Sequence, residues 1–172
     1  MLQLTFSMSD SDIENTRQFI NNPFPAELCD GLEDWIPTAN VVFSIDGQNL
    51  SPCLNNSESI PVLEFALKLN EILHTIRSGD KRTLAFSMDA GWRKFVLENE
   101  DVIVVSGFYG EPFSASCSLV ELKIATKEFC EKLYQDIVDC FPGYFEMMDR
   151  LPVNQVRLGE TPSQRKIRLL NL

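Results

Sequence analysis

Residues 59–78 read SIPVLEFALKLNEILHTIRS, and this stretch carries the clearest structural pattern in the chain. Placed at 100° per residue, its Val, Leu, Phe and Ile side chains fill a broad apolar arc and leave only a narrow polar stripe. Pro61 suits a first helical turn, and Gly79 suits the position just beyond a helix end. The stretch therefore predicts a helix that is buried over most of its surface.

Downstream of this helix, short apolar runs alternate with turn residues at close spacing. The predicted strands cover about residues 83–88, 92–98, 101–107 and 113–124. Connections this short allow only antiparallel neighbours, so the four strands are expected to form a meander. In the last strand the alternation slips in phase near Leu119, which we interpret as a β-bulge.

A second long helix is predicted after the meander. Thr126 is a suitable N-cap, apolar residues then recur at helical spacing as far as Phe141, and Pro142-Gly143 ends the pattern. Both large helices need an apolar surface to pack on, and the meander supplies one. The predicted class is α+β: an antiparallel β-meander sheet with two main amphipathic helices packed on it.

The segment before the first large helix predicts smaller elements. Residues 2–7 alternate between apolar and polar side chains as a half-buried strand does, and residues 41–45 form another strand that ends at the Asp46-Gly47 turn. Residues 9–21 predict a short helix, because Ser and Asp at its start provide N-caps and acidic first-turn side chains. Residues 26–36 predict one or two further helical turns.

Length and composition define the class of protein. The chain has 172 residues, of which 44% are apolar, so it can bury a sizeable core. We expect a single α+β domain over residues 1–151, followed by a basic C-terminal tail or edge element over residues 152–172. No signal peptide or membrane-spanning run is present in the sequence, which predicts a cytoplasmic protein.

No catalytic or metal-binding pattern stands out. The five cysteines lack zinc-site spacing, and the chain contains neither a phosphate-binding glycine loop nor a nucleophile elbow. We therefore predict no catalytic residue, no metal and no cofactor. His74, the only histidine, lies with Asn70 and Arg77 at i, i+4 and i+7, either as a ligand-orienting polar cluster or as an ordinary boundary histidine.

The net charge of −10 is unevenly distributed, and general nucleic-acid binding is not expected of so acidic a chain. Residues 1–67 contain ten acidic residues and one basic residue, whereas residues 152–172 contain four basic residues and one acidic residue. The acidic front serves either solubility or docking of a basic partner. The predicted docking residues are Asp10, Asp12, Glu14, Glu27, Asp30, Glu33 and Asp34, with Trp35 as an aromatic anchor.

Three features follow one another across about residues 58–141: a leucine-rich helix at 60–69, a meander carrying Trp92 and the valine-rich run 102–105, and a closing helix around 128–134. In this layout the chain resembles the small acidic immunity proteins encoded beside bacterial polymorphic toxins, including those of contact-dependent growth inhibition systems. The resemblance implies a non-enzymatic inhibitor that binds a cognate toxin domain and blocks its active site or cofactor site. The family has no catalytic signature, so no residue role is carried over.

The predicted function is accordingly a non-enzymatic protein-binding module, an immunity protein that neutralises a cognate and basic toxin domain. The alternative is a small-ligand-binding or regulatory domain, with a pocket between the sheet and the helix at 59–78. A third possibility is an enzyme that uses carboxylate chemistry. The sequence specifies neither the toxin's activity nor the oligomeric state.

Overall fold

A computed structural model describes residues 1–21, 37–51, 59–85, 92–109 and 111–148 of the chain. The described chain contains two antiparallel sheets and four helices, so the predicted α+β class is confirmed. The strands are β1 (Leu2–Ser7), β2 (Thr38–Ile45), β3 (Gln48–Asn49), β4 (Ser59–Pro61), β5 (Lys81–Ala85), β6 (Trp92–Leu97), β7 (Val102–Tyr109) and β8 (Glu111–Ser118). The helices are α1 (Asp10–Asn21), α2 (Val62–Thr75), α3 (Leu119–Cys140) and α4 (Tyr144–Met148).

The first sheet is built around β2, which pairs with β1, β3 and β4. The two-residue turn Asp46-Gly47 joins β2 to β3, and both of its residues have positive φ, at 49° and 82°. Such a turn matches the right-handed twist of the paired strands and favours Asp-Gly, as predicted. The strands predicted at 2–7 and 41–45 had been assigned to no sheet, and in the structure they belong to a sheet separate from the meander.

The second sheet is the predicted meander, with the order β5-β6-β7-β8 and antiparallel neighbours throughout. The strand predicted at 83–88 begins two residues earlier, at Lys81, and the interval 86–91 lies outside the described residues. Arg93, Phe95 and Leu97 of β6 face the interior, since alternate residues of a strand share one face. Because of this alternation, the charged side chain of Arg93 lies in the core beside Phe95 and Leu97.

The end of the meander differs from the prediction. Strand β8 ends at Ser118 and helix α3 begins at Leu119, so both the bulge and the N-cap at Thr126 are wrong. The phase slip marks the change from the two-residue period of a strand to the 3.6-residue period of a helix. The Ser118 side chain accepts a hydrogen bond from the Val120 N–H at 3.2 Å, which caps the helix eight residues before Thr126, the predicted N-cap.

Helix α2 has ten of its fourteen residues buried, which agrees with the predicted helix that is polar only on one stripe. It is shorter than the predicted span because residues 59–61 form β4 against β2. Helices α2 and α3 pack on each other and on the first sheet. Phe129 of α3 joins these layers, with its ring centroid 5.1 Å from that of Phe6 and 5.7 Å from that of Phe65.

Arg93 links the second sheet to the first. It is 1% exposed, and it donates hydrogen bonds to the carbonyls of Leu50 at 2.7 Å and Ser51 at 2.5 Å. Its guanidinium also lies 4.8 Å from the ring centroid of Phe113 on β8. A buried charge is tolerated only when its donors are satisfied, and these carbonyls and this ring supply that environment. The residues predicted as a basic tail, 152–172, lie outside the described chain.

Candidate functional site

The N-terminal half of α3 separates two concave surfaces. Because residues three and four apart share a helix face, Glu121 and Glu128 lie on one side and Lys123 and Lys127 on the other. Val120 and Ile124 run between them and are 55% and 54% exposed. The two side chains place exposed apolar surface directly between the two hollows.

The first hollow, which we call the acidic groove, lies between α3, the β1–β2 end of the first sheet and β8. Its volume is about 390 Å³. Its lining includes carboxylates from Asp46, Glu121 and Glu128, and apolar side chains from Leu2, Ile45, Ile124 and Ala125. No lysine or arginine is among the described residues that line it, although Asp46 forms an ion pair with the Met1 ammonium.

Cys117 also lines the acidic groove, and its chemistry is set by that position. Burial, helped by the nearby carboxylates of Glu121 and Asp46, raises the pKa of the Cys117 thiol to about 11. The thiolate is the nucleophilic form of cysteine, so Cys117 is unreactive at neutral pH. The groove is therefore suited to binding a cation and does not activate its own thiol.

The second hollow, which we call the α2–α3 cavity, has a volume of about 170 Å³. It is lined by Asn70, Leu73 and His74 from α2, and by Lys123, Ile124, Thr126 and Lys127 from α3. The His74 Nδ1 is 2.9 Å from the backbone carbonyl of Asn70. A carbonyl only accepts, so Nδ1 carries the proton and donates.

The predicted cluster of Asn70, His74 and Arg77 is only partly realised. Asn70 and His74 line the α2–α3 cavity, whereas Arg77 is wrong as a member. The reason is that α2 ends at Thr75, so the i+7 helical spacing no longer applies at Arg77. The backbone N–H of Arg77 instead donates to the Asp80 carboxylate at 3.1 Å. The pocket itself lies between two helices and not between a helix and a sheet.

The predicted docking residues are placed in different environments. Asp10 and Glu14 are exposed on α1, while Asp12 is 5% exposed and faces the interior. The remaining five lie outside the described residues, so the structure does not place them: Glu27, Asp30, Glu33, Asp34 and Trp35.

Asp12 connects three elements. Its carboxylate accepts hydrogen bonds from the Ser9 hydroxyl at 2.6 Å, the Thr38 hydroxyl at 2.5 Å and the Ser59 hydroxyl at 3.2 Å. The Ser9 backbone N–H also donates to it, while the Asp12 N–H donates to the Ser9 hydroxyl, which completes a capping box. Burial acts to raise the pKa of Asp12, but these hydrogen bonds outweigh it and hold the pKa below its ordinary value.

The acidic groove brings together three carboxylates that are remote in sequence, and none of them was a predicted docking residue. Asp46 was predicted only as part of a turn. Glu121 fell within the strand predicted at 113–124, so its helical alignment with Glu128 was hidden. The spacing Ser118-x-x-Glu121 is that of a capping box and was the available indication of a helix start. Asp10 and Asp46 lie at opposite ends of β1, about 20 Å apart for a six-residue strand, so these two described front acids do not belong to one cluster.

Among the described residues, no group of three or more potential ligands is arranged to hold a metal ion. No helix within the described ranges is long and apolar enough to cross a membrane. Comparisons with protein-family models, curated proteins and solved structures find no match for this chain.

Proposed function

We propose that this protein is a non-catalytic binding module for a basic protein domain. The observation that carries the proposal is the acidic groove beside the exposed Val120–Ile124 pair. The aliphatic stem of a lysine or arginine packs on apolar side chains while its charged head stays among polar groups. The groove offers both parts, since Ile45 and Ala125 supply apolar lining and Glu121 and Glu128 supply carboxylates.

Electrostatics favour a protein partner that is basic over a wide surface. The chain has 25 acidic and 15 basic residues, and a net charge of −10 accelerates encounter with a basic partner while repelling acidic competitors. The exposed Asp10 and Glu14 on α1 extend this field beyond the groove. Of the predicted front residues, Asp12 does not contribute a free carboxylate, because its oxygens hold the fold together.

The more specific proposal is that the partner is a toxin domain and that this protein is its cytoplasmic immunity protein. Its support is the layout of elements by which the sequence resembles immunity proteins of polymorphic toxins, together with the acidic balance of the chain. An inhibitor of this kind acts by occupying the toxin and needs no chemistry of its own. Toxin nucleases are often basic, and such a domain would complement the groove.

The decisive test begins with the reading frame next to the gene. We expect it to encode a large secreted protein with a variable C-terminal domain. Expression of that domain should stop growth, and co-expression of this protein should restore growth. A metabolic neighbour, or failure to protect against the toxin domain, would contradict the immunity proposal.

Charge reversal then locates the docking surface. Glu121→Lys with Glu128→Lys should slow association with the basic domain about ten-fold at low salt and weaken its salt dependence. The matched control is Asp139→Lys with Glu146→Lys, which makes the same charge change at exposed positions elsewhere. A parallel pair, Glu33→Lys with Asp34→Lys, tests the predicted front segment. If the groove pair behaves like the control, the groove is not the docking surface.

A further inference from the structure

Beyond protein docking, we infer that the α2–α3 cavity binds a small anionic molecule: a carboxylate carried on an apolar ring or short chain. The cavity of about 170 Å³ is close in size to one of about 150 Å³ in another protein that accommodates benzene. Leu73 and Ile124 provide apolar lining for the body of such a ligand. The volume limits the ligand to roughly the size of benzoate.

The polar lining of the cavity points to an anion. No acidic residue is among the described residues that line it, although acidic residues outnumber basic ones in the chain. Lys123 and Lys127 lie one helical turn apart, about 6 Å along the axis, and both are exposed at the rim. The Lys127 ammonium lies 3.8 Å from the Glu131 carboxylate. An ammonium has three N–H donors, so this one contact does not use all of them. A carboxylate at the rim would accept from both lysines.

His74 contributes a second kind of polar atom. Its Nδ1–H is committed to the Asn70 carbonyl, which leaves Nε2 as the ring nitrogen available for other contacts. When the ring is neutral, Nε2 accepts a hydrogen bond, and when the ring is protonated, it donates one to an anion. His74 therefore donates to a bound carboxylate through Nε2 when its ring is protonated.

Thr126 supplies the independent observation. This residue lines the cavity, is 1% exposed, and has a hydroxyl oxygen with no hydrogen-bond partner in the described part of the chain. A buried hydroxyl without a partner is costly, and valine would fill the same volume without that cost. A polar ligand in the cavity supplies a partner for the hydroxyl and so accounts for a threonine at this buried position.

The test uses the full chain with benzoate and its neutral analogue benzyl alcohol as probes. Binding is followed by NMR, through the shifts of the methyl resonances of Leu73 and Ile124 as each probe is added. For a ligand with so few atoms, we expect a dissociation constant of about 1 mM for benzoate. Benzyl alcohol should bind about ten-fold more weakly, since it cannot form charge-assisted hydrogen bonds with the lysines.

Two variants separate the contributions. Lys123→Gln with Lys127→Gln should remove the preference for benzoate and leave benzyl alcohol binding unchanged. Thr126→Val should raise the melting temperature of the free protein while weakening benzoate about five-fold, the loss of one hydrogen bond. Lys81→Gln, on the exposed side of β5, is the control and should change neither probe.

Three results would overturn the inference. The first is the absence of saturable shifts at the Leu73 and Ile124 methyl groups. The second is equal affinity for benzoate and benzyl alcohol, which would show an apolar hollow without anion recognition. The third is an unchanged benzoate affinity in Thr126→Val. None of these measurements involves Glu121 or Glu128, so they stand apart from the docking proposal.

Discussion

At the scale of single residues, Asp12 shows how the structure reassigns a carboxylate. In the sequence it is one of several front acids and therefore a docking candidate. In the structure it accepts hydrogen bonds from Ser9, Thr38 and Ser59, and so connects α1 to two strands of the first sheet. Its role is to stabilise the fold, which leaves Asp10 and Glu14 as the exposed acids of α1.

Asp12→Asn should lower the free energy of unfolding at pH 7 by about 2 kcal/mol, because hydrogen bonds to a charged acceptor are lost and the new amide hydrogens face donors. The folded pKa of Asp12 is depressed, so its contribution is present above the unfolded pKa and disappears as the pH falls through the folded pKa. Urea denaturation of the wild-type protein and of Asp12→Asn, from neutral to acidic pH, measures this contribution to the free energy of unfolding.

The difference in free energy of unfolding between the wild-type protein and Asp12→Asn should shrink as the pH drops below the ordinary pKa of aspartate, about 4. Asp10→Asn is the matched control, since Asp10 is exposed two residues earlier on the same helix. A pH-independent difference for Asp12→Asn would mean that the charge of the carboxylate is not what stabilises the fold.

At the scale of elements, the beginning of α3 determines which surfaces exist. Had the last strand continued to residue 124, Val120 and Ile124 would lie on the same face of a sheet, and Glu121 on the other. With α3 beginning at Leu119, Val120 and Ile124 form an exposed pair, and Glu121 lines the acidic groove. Both candidate sites therefore depend on one helix start.

Ser118→Ala should destabilise the protein by about 1 kcal/mol, because it removes the hydroxyl that accepts from the Val120 N–H. Thermal denaturation measures the loss, and Ser114→Ala on the exposed face of β8 is the control. Ser118→Asp should restore most of the stability, since aspartate is also a strong N-cap. Equal stability of Ser118→Ala and the control would argue against the cap.

At the scale of the whole molecule, one buried charge joins the two sheets. Arg93 on β6 reaches the carbonyls that follow β3, so the second sheet is connected to the end of the first. Such a residue is costly to bury, and its loss leaves buried carbonyls without their donors.

Arg93→Met should therefore lower the free energy of unfolding by about 3 kcal/mol, since two hydrogen bonds from a charged donor are lost. Arg82→Met is the control, because the exposed pair of Arg82 with Asp80 contributes little. Chemical denaturation followed by tryptophan fluorescence and by far-ultraviolet circular dichroism gives two readouts. A loss no larger than that of the control would contradict this role for Arg93.

Local patterns predicted the elements well where one period continued without interruption. Residues close together in the sequence were enough to predict several elements. These are the strand at 2–7, the Asp46-Gly47 turn, the buried helix α2 and the strands β6 and β7. Prediction failed where the period changed within a continuous run, at Ser118–Leu119, because either period fits the residues near the junction. The first sheet was also not predicted, because strand pairing between distant segments leaves no local pattern.

The sequence by itself determined the α+β class, the acidic balance and most helix and strand positions, because these depend on composition and on periods of a few residues. Only the tertiary structure decided which charges meet. It placed Asp46 with Glu121 and Glu128, buried Asp12 and Arg93, and opened a cavity beside Thr126. The physical reason is that side-chain neighbours across helices and sheets are set by packing of segments far apart in the chain, and sequence spacing does not encode those distances.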